Sequence, residues 1–246
     1  MFVSLSIRRL FPKITFYALV LVAVSAALLH LSNQRENSAY VPVNLSLNTG
    51  GRRILVIDPG HGGEDGGASS VGGTLEAPIN LQIAKKLEML AFLWGVETVM
   101  TRDTDDITYP ESANTTRERK RFDQRRRVEI INSVDNPVFV SIHLNKFTST
   151  APRGPQALYS RQEGSGELAE IAQRNLLAMV YPESRREPAR IPESVYLFTK
   201  IICPGIIVEC GFLSNPEDER LLLSPEHQLK LAAAILASYA QFETAQ

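Results

Sequence analysis

Four side chains in this sequence have the types and placements that hydrolytic chemistry needs. The chain has only four histidines. Two of them, His61 and His143, each follow an apolar run, Ile54-Leu55-Val56-Ile57 and Val138-Phe139-Val140. Such runs read as buried strands, so each imidazole sits where a strand leaves the sheet. Two carboxylates have comparable positions. Glu76 opens a helical pattern, and Glu209 ends the apolar run Gly205-Ile206-Ile207-Val208. Two imidazoles and a carboxylate make a common catalytic zinc set, with a fourth position left for water. A second carboxylate can then act as general base on that water. A lone histidine at a strand end is usually just a polar residue at a surface turn. Two of them, each with a carboxylate nearby, make that reading hard to keep. Glu209 read as a structural residue needs a salt-bridge partner, because burying a lone charge costs several kcal/mol. Glu64 and Asp65, close to His61, remain rival acids at this point.

The elements that must hold these groups follow from periodicity. After the first strand, six glycines between Gly62 and Gly73 dictate a loop. Residues 76–94 carry Ile79, Ile83, Leu87 and Leu90 at helical spacing, with Pro78 in the first turn and Gly95 as the stop. Further strands are predicted over 96–101, 137–143, 156–160, 195–199 and 205–210, and helices over 117–132, 166–181, 215–223 and 225–242. Residues 182–192 read as a loop. This alternation predicts an α/β fold, a single domain with a mainly parallel central sheet flanked by helices. Parallel strands put their carboxyl ends on one edge, where ligands of such sheets bind. His61, Glu76, His143 and Glu209 all belong to that edge. Strand alternation sends Cys210 to the face opposite Glu209, which argues against it as a fourth ligand.

The 246 residues are 44% apolar and 22% charged, as in an ordinary folded protein, and net charge is −1. That balance excludes a strongly basic nucleic-acid binder. The dense basic run over 117–127 reads as the solvated face of a helix. Cys203 and Cys210 would stand roughly 20 Å apart on an extended strand at about 3.3 Å per residue. A disulfide needs under about 7 Å, so two free, buried thiols are expected.

Residues 14–31 carry no formal charge and follow Arg8, Arg9 and Lys13. As a helix they rise roughly 27 Å, close to a bilayer core. The basic residues on the N-terminal side predict translocation of the remainder of the chain. The expected organisation is a short basic segment over 1–13, a hydrophobic helix over 14–32, a linker over 33–52 and a catalytic domain over 53–243. The helix serves as a membrane anchor or uncleaved signal. A cleaved signal peptide, cut near Val24-Ser25-Ala26, is the alternative. The protein is then extracytoplasmic, anchored or secreted.

The runs Ile57 to Ala68 (IDPGHGGEDGGA), Glu76-x-x-x-Asn80-Leu81, Met100-Thr101-Arg102, Ser141 to Phe147 (SIHLNKF) and Val208 to Asp218 (VECGFLSNPED) together resemble the zinc-dependent N-acetylmuramoyl-L-alanine amidases of bacterial cell walls. The resemblance covers about residues 53–242. It is strongest to the germination-specific amidases of spore formers. It implies zinc ligands His61, Glu76 and His143, a catalytic Glu209, and hydrolysis of the amide joining muramic acid to L-alanine in peptidoglycan. In spore cortex that step leads towards muramic-δ-lactam, completed by a separate deacetylase. Ala77-Pro78 stands where many family members carry charged residues. Two other readings stay open on the residues alone: a zinc peptidase acting within the stem peptide, and a catalytically dead, membrane-tethered wall-binding protein. Residues 102–116 and 182–192 are long enough to shape a groove or receive an accessory protein.

Overall fold

The computed structural model describes residues 51–245. The expected basic segment, hydrophobic helix and all but the last two residues of the linker lie outside the described residues. Among the described residues no helix is long and apolar enough to cross a membrane.

The elements run β1 (Ile54–Pro59), α1 (Glu76–Leu93), β2 (Thr98–Met100), α2 (Thr116–Ser133), β3 (Pro137–Asn145), β4 (Gln156–Tyr159), α3 (Ser165–Val180), β5 (Ala189–Arg190), α4 (Tyr196–Lys200), β6 (Gly205–Phe212), α5 (Pro216–Leu222) and α6 (Pro225–Thr244). The strands form one sheet in the order β2-β1-β3-β6-β4-β5. β2, β1, β3 and β6 are mutually parallel, while β4 pairs antiparallel with β6. This is the expected α/β architecture. Alternation along β1 sends Leu55 and Ile57 to one face and Val56 to the other. The first face packs on α1, α3 and α6; the second packs on Ile131 of α2 and on Leu197 and Phe198 of α4. Both faces are covered, which explains why the strands read as continuous apolar runs rather than alternating ones.

Local chemistry sets the helix starts. Thr115 and Glu118 form a reciprocal capping box on α2. Asn215 accepts from the amides of Glu217 and Asp218, with Pro216 at the first helical position of α5. Pro78 does no harm in the first turn of α1, where its amide would have no helical partner anyway.

Three expectations need correction. Residues 195–199, predicted as a strand, form the single-turn helix α4. Val195, Tyr196, Phe198 and Thr199 favour strands by type, but burying Leu197 and Phe198 against Phe139 and Ile207 decides the outcome. The loop expected over 182–192 contains the two-residue strand β5 at the sheet edge. The basic run is not solvated throughout: Arg127 is buried. Cys203 and Cys210 are free and buried. They belong to core clusters on opposite faces of the sheet. Burial pushes the Cys203 thiol up to about 11 and the Cys210 thiol higher still.

Candidate active site

The carboxyl ends of β1, β3 and β6 and the first residue of α1 meet at one edge of the sheet. In register, His143 of β3 lies beside Glu209 of β6. His61 follows β1 by two residues. His61, Glu76 and His143 each offer a ligand atom, and these atoms all lie within 4.8 Å of one another. The two imidazole rings meet edge to face, with centroids 4.9 Å apart.

Glu76 is the hub. It is buried, and its Oε1 accepts from the Leu144 amide at 3.0 Å and the Asn80 side chain at 3.2 Å, and faces His143 Nδ1 at 2.9 Å. Its Oε2 accepts from the Ala68 amide at 2.8 Å and faces His61 Nε2 at 3.3 Å. Burial opposes ionisation, but the two histidines outweigh it and hold the carboxyl far below the usual range. The other ring nitrogen of His61 faces Asp65 at 3.0 Å, and Lys120 holds Asp65 at 2.8 Å. Burial works against the His61 cation. Asp65 and Glu76 outweigh it and push its pKa up to about 9. The hydrogen bond to His61 in turn depresses Asp65. Asp65, a rival ligand on sequence grounds, thus stands behind His61 and orients it, as carboxylates do behind metal-bound imidazoles. Glu64 points away and pairs with Arg119.

Glu209 is different in kind. Its Oε2 is buried with no hydrogen-bond partner among the described residues. Burial is the main influence on its acidity; with Glu76 adding to it, and His143 and His61 opposing, the pKa rises to about 6.

Two glycines leave the space these groups occupy. A Cβ at Gly60 would fall 2.3 Å from the His143 ring. One at Gly67, whose φ is +71°, would fall 2.6 Å from Glu76 Oε2 and 2.8 Å from the His61 ring. His61 itself takes a positive φ of 61°, uncommon for a residue with a side chain.

Two buried arginines hold the loop in that conformation. Arg127 donates to Asp58 Oδ1 at 2.6 Å, to the Pro59 carbonyl at 2.8 Å and to the His61 carbonyl. Arg102 donates to the carbonyls of Pro59, Gly60 and Ala77, at 2.9, 3.0 and 3.0 Å. Asp58 also accepts from Thr101 at 2.5 Å and Ser141 at 2.6 Å. Burial works against the Asp58 carboxylate, but Arg127 and the two hydroxyls hold its pKa below the usual value. The roles of Asp58, Arg102 and Arg127 escape a sequence reading. The one usable signal is a carboxylate, Asp58, directly continuing a buried strand.

The donor set suits a metal ion such as zinc. It has two neutral-capable nitrogens and one carboxylate oxygen, a carboxylate behind one imidazole, and a further acid, Glu209, in register beside His143.

Comparison with known proteins agrees with this geometry. A family profile described as N-acetylmuramoyl-L-alanine amidase matches residues 55–240. The germination-specific N-acetylmuramoyl-L-alanine amidase of Bacillus subtilis is 33% identical over 210 residues, 85% of this chain and 86% of that protein. Among solved structures, the CwlD amidase of Clostridioides difficile, determined in complex with the GerS lipoprotein, superposes with a TM-score of 0.76 at 33% identity, over 79% of this chain and 100% of that one. The amidase AmiC2 of Nostoc punctiforme gives 0.64 at 31% identity, over 77% and 96%.

Proposed function

Because the chain belongs to the N-acetylmuramoyl-L-alanine amidase family, we propose that His61, Glu76 and His143 hold a zinc ion and that Glu209 carries the proton in hydrolysis of the muramoyl–L-alanine amide. Family membership makes the chain an enzyme acting on peptidoglycan. It weighs against cleavage within the stem peptide. The observation that carries the assignment of roles is the meeting of three ligand atoms within 4.8 Å beside Glu209, whose buried Oε2 has no hydrogen-bond partner among the described residues. A wall-binding protein without activity has no use for such an acid.

When bound, the zinc ion supplies a water acidified towards neutrality and a positive charge beside the scissile carbonyl. Glu209 takes the proton of the attacking water as oxygen adds to the amide carbon. It keeps the proton in its buried setting and hands it to the alanine nitrogen as the C–N bond breaks. The products are the lactyl carboxylate of muramic acid and the free amine of the stem peptide. Burial favours the protonated form of Glu209, which suits a group that must hold a proton between accepting and returning it. Asp65 keeps His61 in orientation, and Asn80 and the Leu144 amide do the same for Glu76.

The likeness to the germination-specific amidase supports action in spore cortex, outside the cytoplasm. The hydrophobic run over 14–32 serves to anchor the chain, and residues 53–243 form the catalytic domain. The complex between the C. difficile amidase and a lipoprotein supports an accessory protein for this chain as well.

Zinc content of the purified full chain, wild type beside His143→Ala, tests the site. About one zinc per chain is expected in the wild type and far less in the variant. Full occupancy in the variant removes His143 from the ligand set. Mass analysis of digested peptidoglycan tests the bond: free muramic lactyl carboxyls are expected, and shortened stems would replace the amidase with a peptidase.

A further inference from the structure

The end of α1 remote from the site carries apolar side chains that the fold leaves uncovered. Met89 is 50% exposed, Phe92 79%, Leu93 69% and Trp94 72%. The helix buries Ile79, Ile83, Leu87 and Ala91 instead. Met89, Phe92 and Leu93 stand at i, i+3 and i+4, so they share one face; Trp94, the C-cap residue, follows at the helix end on the side of Leu87 and Ala91. Single exposed apolar residues need no explanation; a contiguous group of large ones marks a contact surface.

Position and residue type say what the contact is. α1 runs 18 residues from Glu76, at the site, to Leu93. At 1.5 Å per residue the patch lies roughly 20–27 Å along the helix from Glu76. Past Gly95 the chain enters β2, and the Glu97 carbonyl accepts from the Leu55 amide at 3.0 Å. The patch therefore sits at the end of the sheet where β1 begins. That is where the chain arrives from the apolar run over 14–31. Twenty residues, 33–52, lie between that run and Arg53, and at no more than roughly 3.3–3.6 Å each they give reach enough for this end to rest on a bilayer. Tryptophan, phenylalanine and leucine are the residues with which soluble faces enter the membrane–water interface.

We propose that Met89, Phe92, Leu93 and Trp94 form a lipid-docking surface. It seats the domain on the membrane with its catalytic edge turned away, towards the wall. The proposal rests on the reading of residues 14–32 as a membrane anchor.

Trp94 is the only tryptophan in the chain, so its fluorescence reports on this end of α1 alone. The full chain would be reconstituted into phosphatidylethanolamine–phosphatidylglycerol vesicles, with and without lipids brominated high on the acyl chain. Expected is a blue-shifted Trp94 emission, quenching by the brominated lipid, and a fall in iodide quenching of about fivefold, as for a ring a few ångströms below the headgroups. Phe92→Ser with Leu93→Ser, both at exposed positions, should restore most of the iodide quenching while the chain still floats with the vesicles. A chain that floats while Trp94 stays open to iodide overturns the docking and leaves the anchor. A chain that does not float overturns both. Shielding that appears in detergent without lipid and grows with protein concentration gives the face to a second copy, and the proposal fails.

Discussion

Glu209 Oε2 is a buried acceptor without a partner among the described residues, and such an atom costs roughly 1–3 kcal/mol. Its raised pKa says the same thing: the fold disfavours the charged form. A side chain kept for stability would not be left this way, so the Glu209→Gln substitution separates the two roles. Glutamine keeps the shape and removes the charge that burial penalises, so the variant should fold at least as well as wild type. It should keep zinc, since the carboxylate is outside the ligand set. Its kcat on muropeptides should fall at least about 100-fold, the lower end for a positioned acid–base group. A stable, zinc-loaded variant with near-normal turnover would remove the proton role from Glu209. These residues are legible in the sequence because each sits at an apolar run's end or a helix start. Asp65 is not resolved there. Its place behind His61 depends on the Gly62–Asp65 turn, whose backbone hydrogen bonds of 2.8 and 3.0 Å no spacing rule foretells.

At the scale of elements, the loop after β1 is held from α2 and from the end of β2. Arg127 and Arg102 reach it from 66 and 42 residues or so along the chain. A sequence reading sees the strand, the glycines and the helices, because each is set by local pattern. It sees Arg127 as one of many cations, because its burial depends on α2 crossing the sheet beside Asp58. For the same reason α4 reads as a strand: its types are local, its packing is not. The Asp58–Arg127 pair gives a test with a definite pH sense. Asp58 has a depressed folded-state pKa, so its contribution is fully present above the unfolded value near 4 and is lost as pH falls through the folded value. Asp58→Asn leaves Arg127 buried with Asp123 as its remaining charged partner, 2.8 Å away. Breaking such a pair typically costs about 3–5 kcal/mol. Urea unfolding should show a deficit of that size at pH 7, narrowing progressively below about pH 4. A deficit unchanged between pH 7 and pH 3 would mean that the pair is not what fastens the loop.

For the whole molecule, the question is where the folded unit begins. The Arg53 amide donates to Glu243 at 3.0 Å, and Tyr239 donates its hydroxyl hydrogen to the Arg53 carbonyl. These bonds clip the start of β1 to the last helix. Beyond them come Leu55, Val56 and Ile57, all fully buried. The proposed boundary just before Arg53 keeps the whole of this clip and of β1 inside the catalytic domain. A chain starting at Gly51 keeps the clip and the whole of β1. Its thermal midpoint should lie within about 2 °C of the full chain, a difference of less than 1 kcal/mol for a domain of this size. A chain starting at Val56 loses the clip and Leu55, a buried residue whose removal costs about 2–5 kcal/mol. Its midpoint should fall by at least about 6 °C. Calorimetry on the two truncations beside the full chain reads both numbers. Should the chain from Gly51 melt as low as the one from Val56, residues before 51 would be part of the folded unit, and the catalytic domain would have to be drawn to include them.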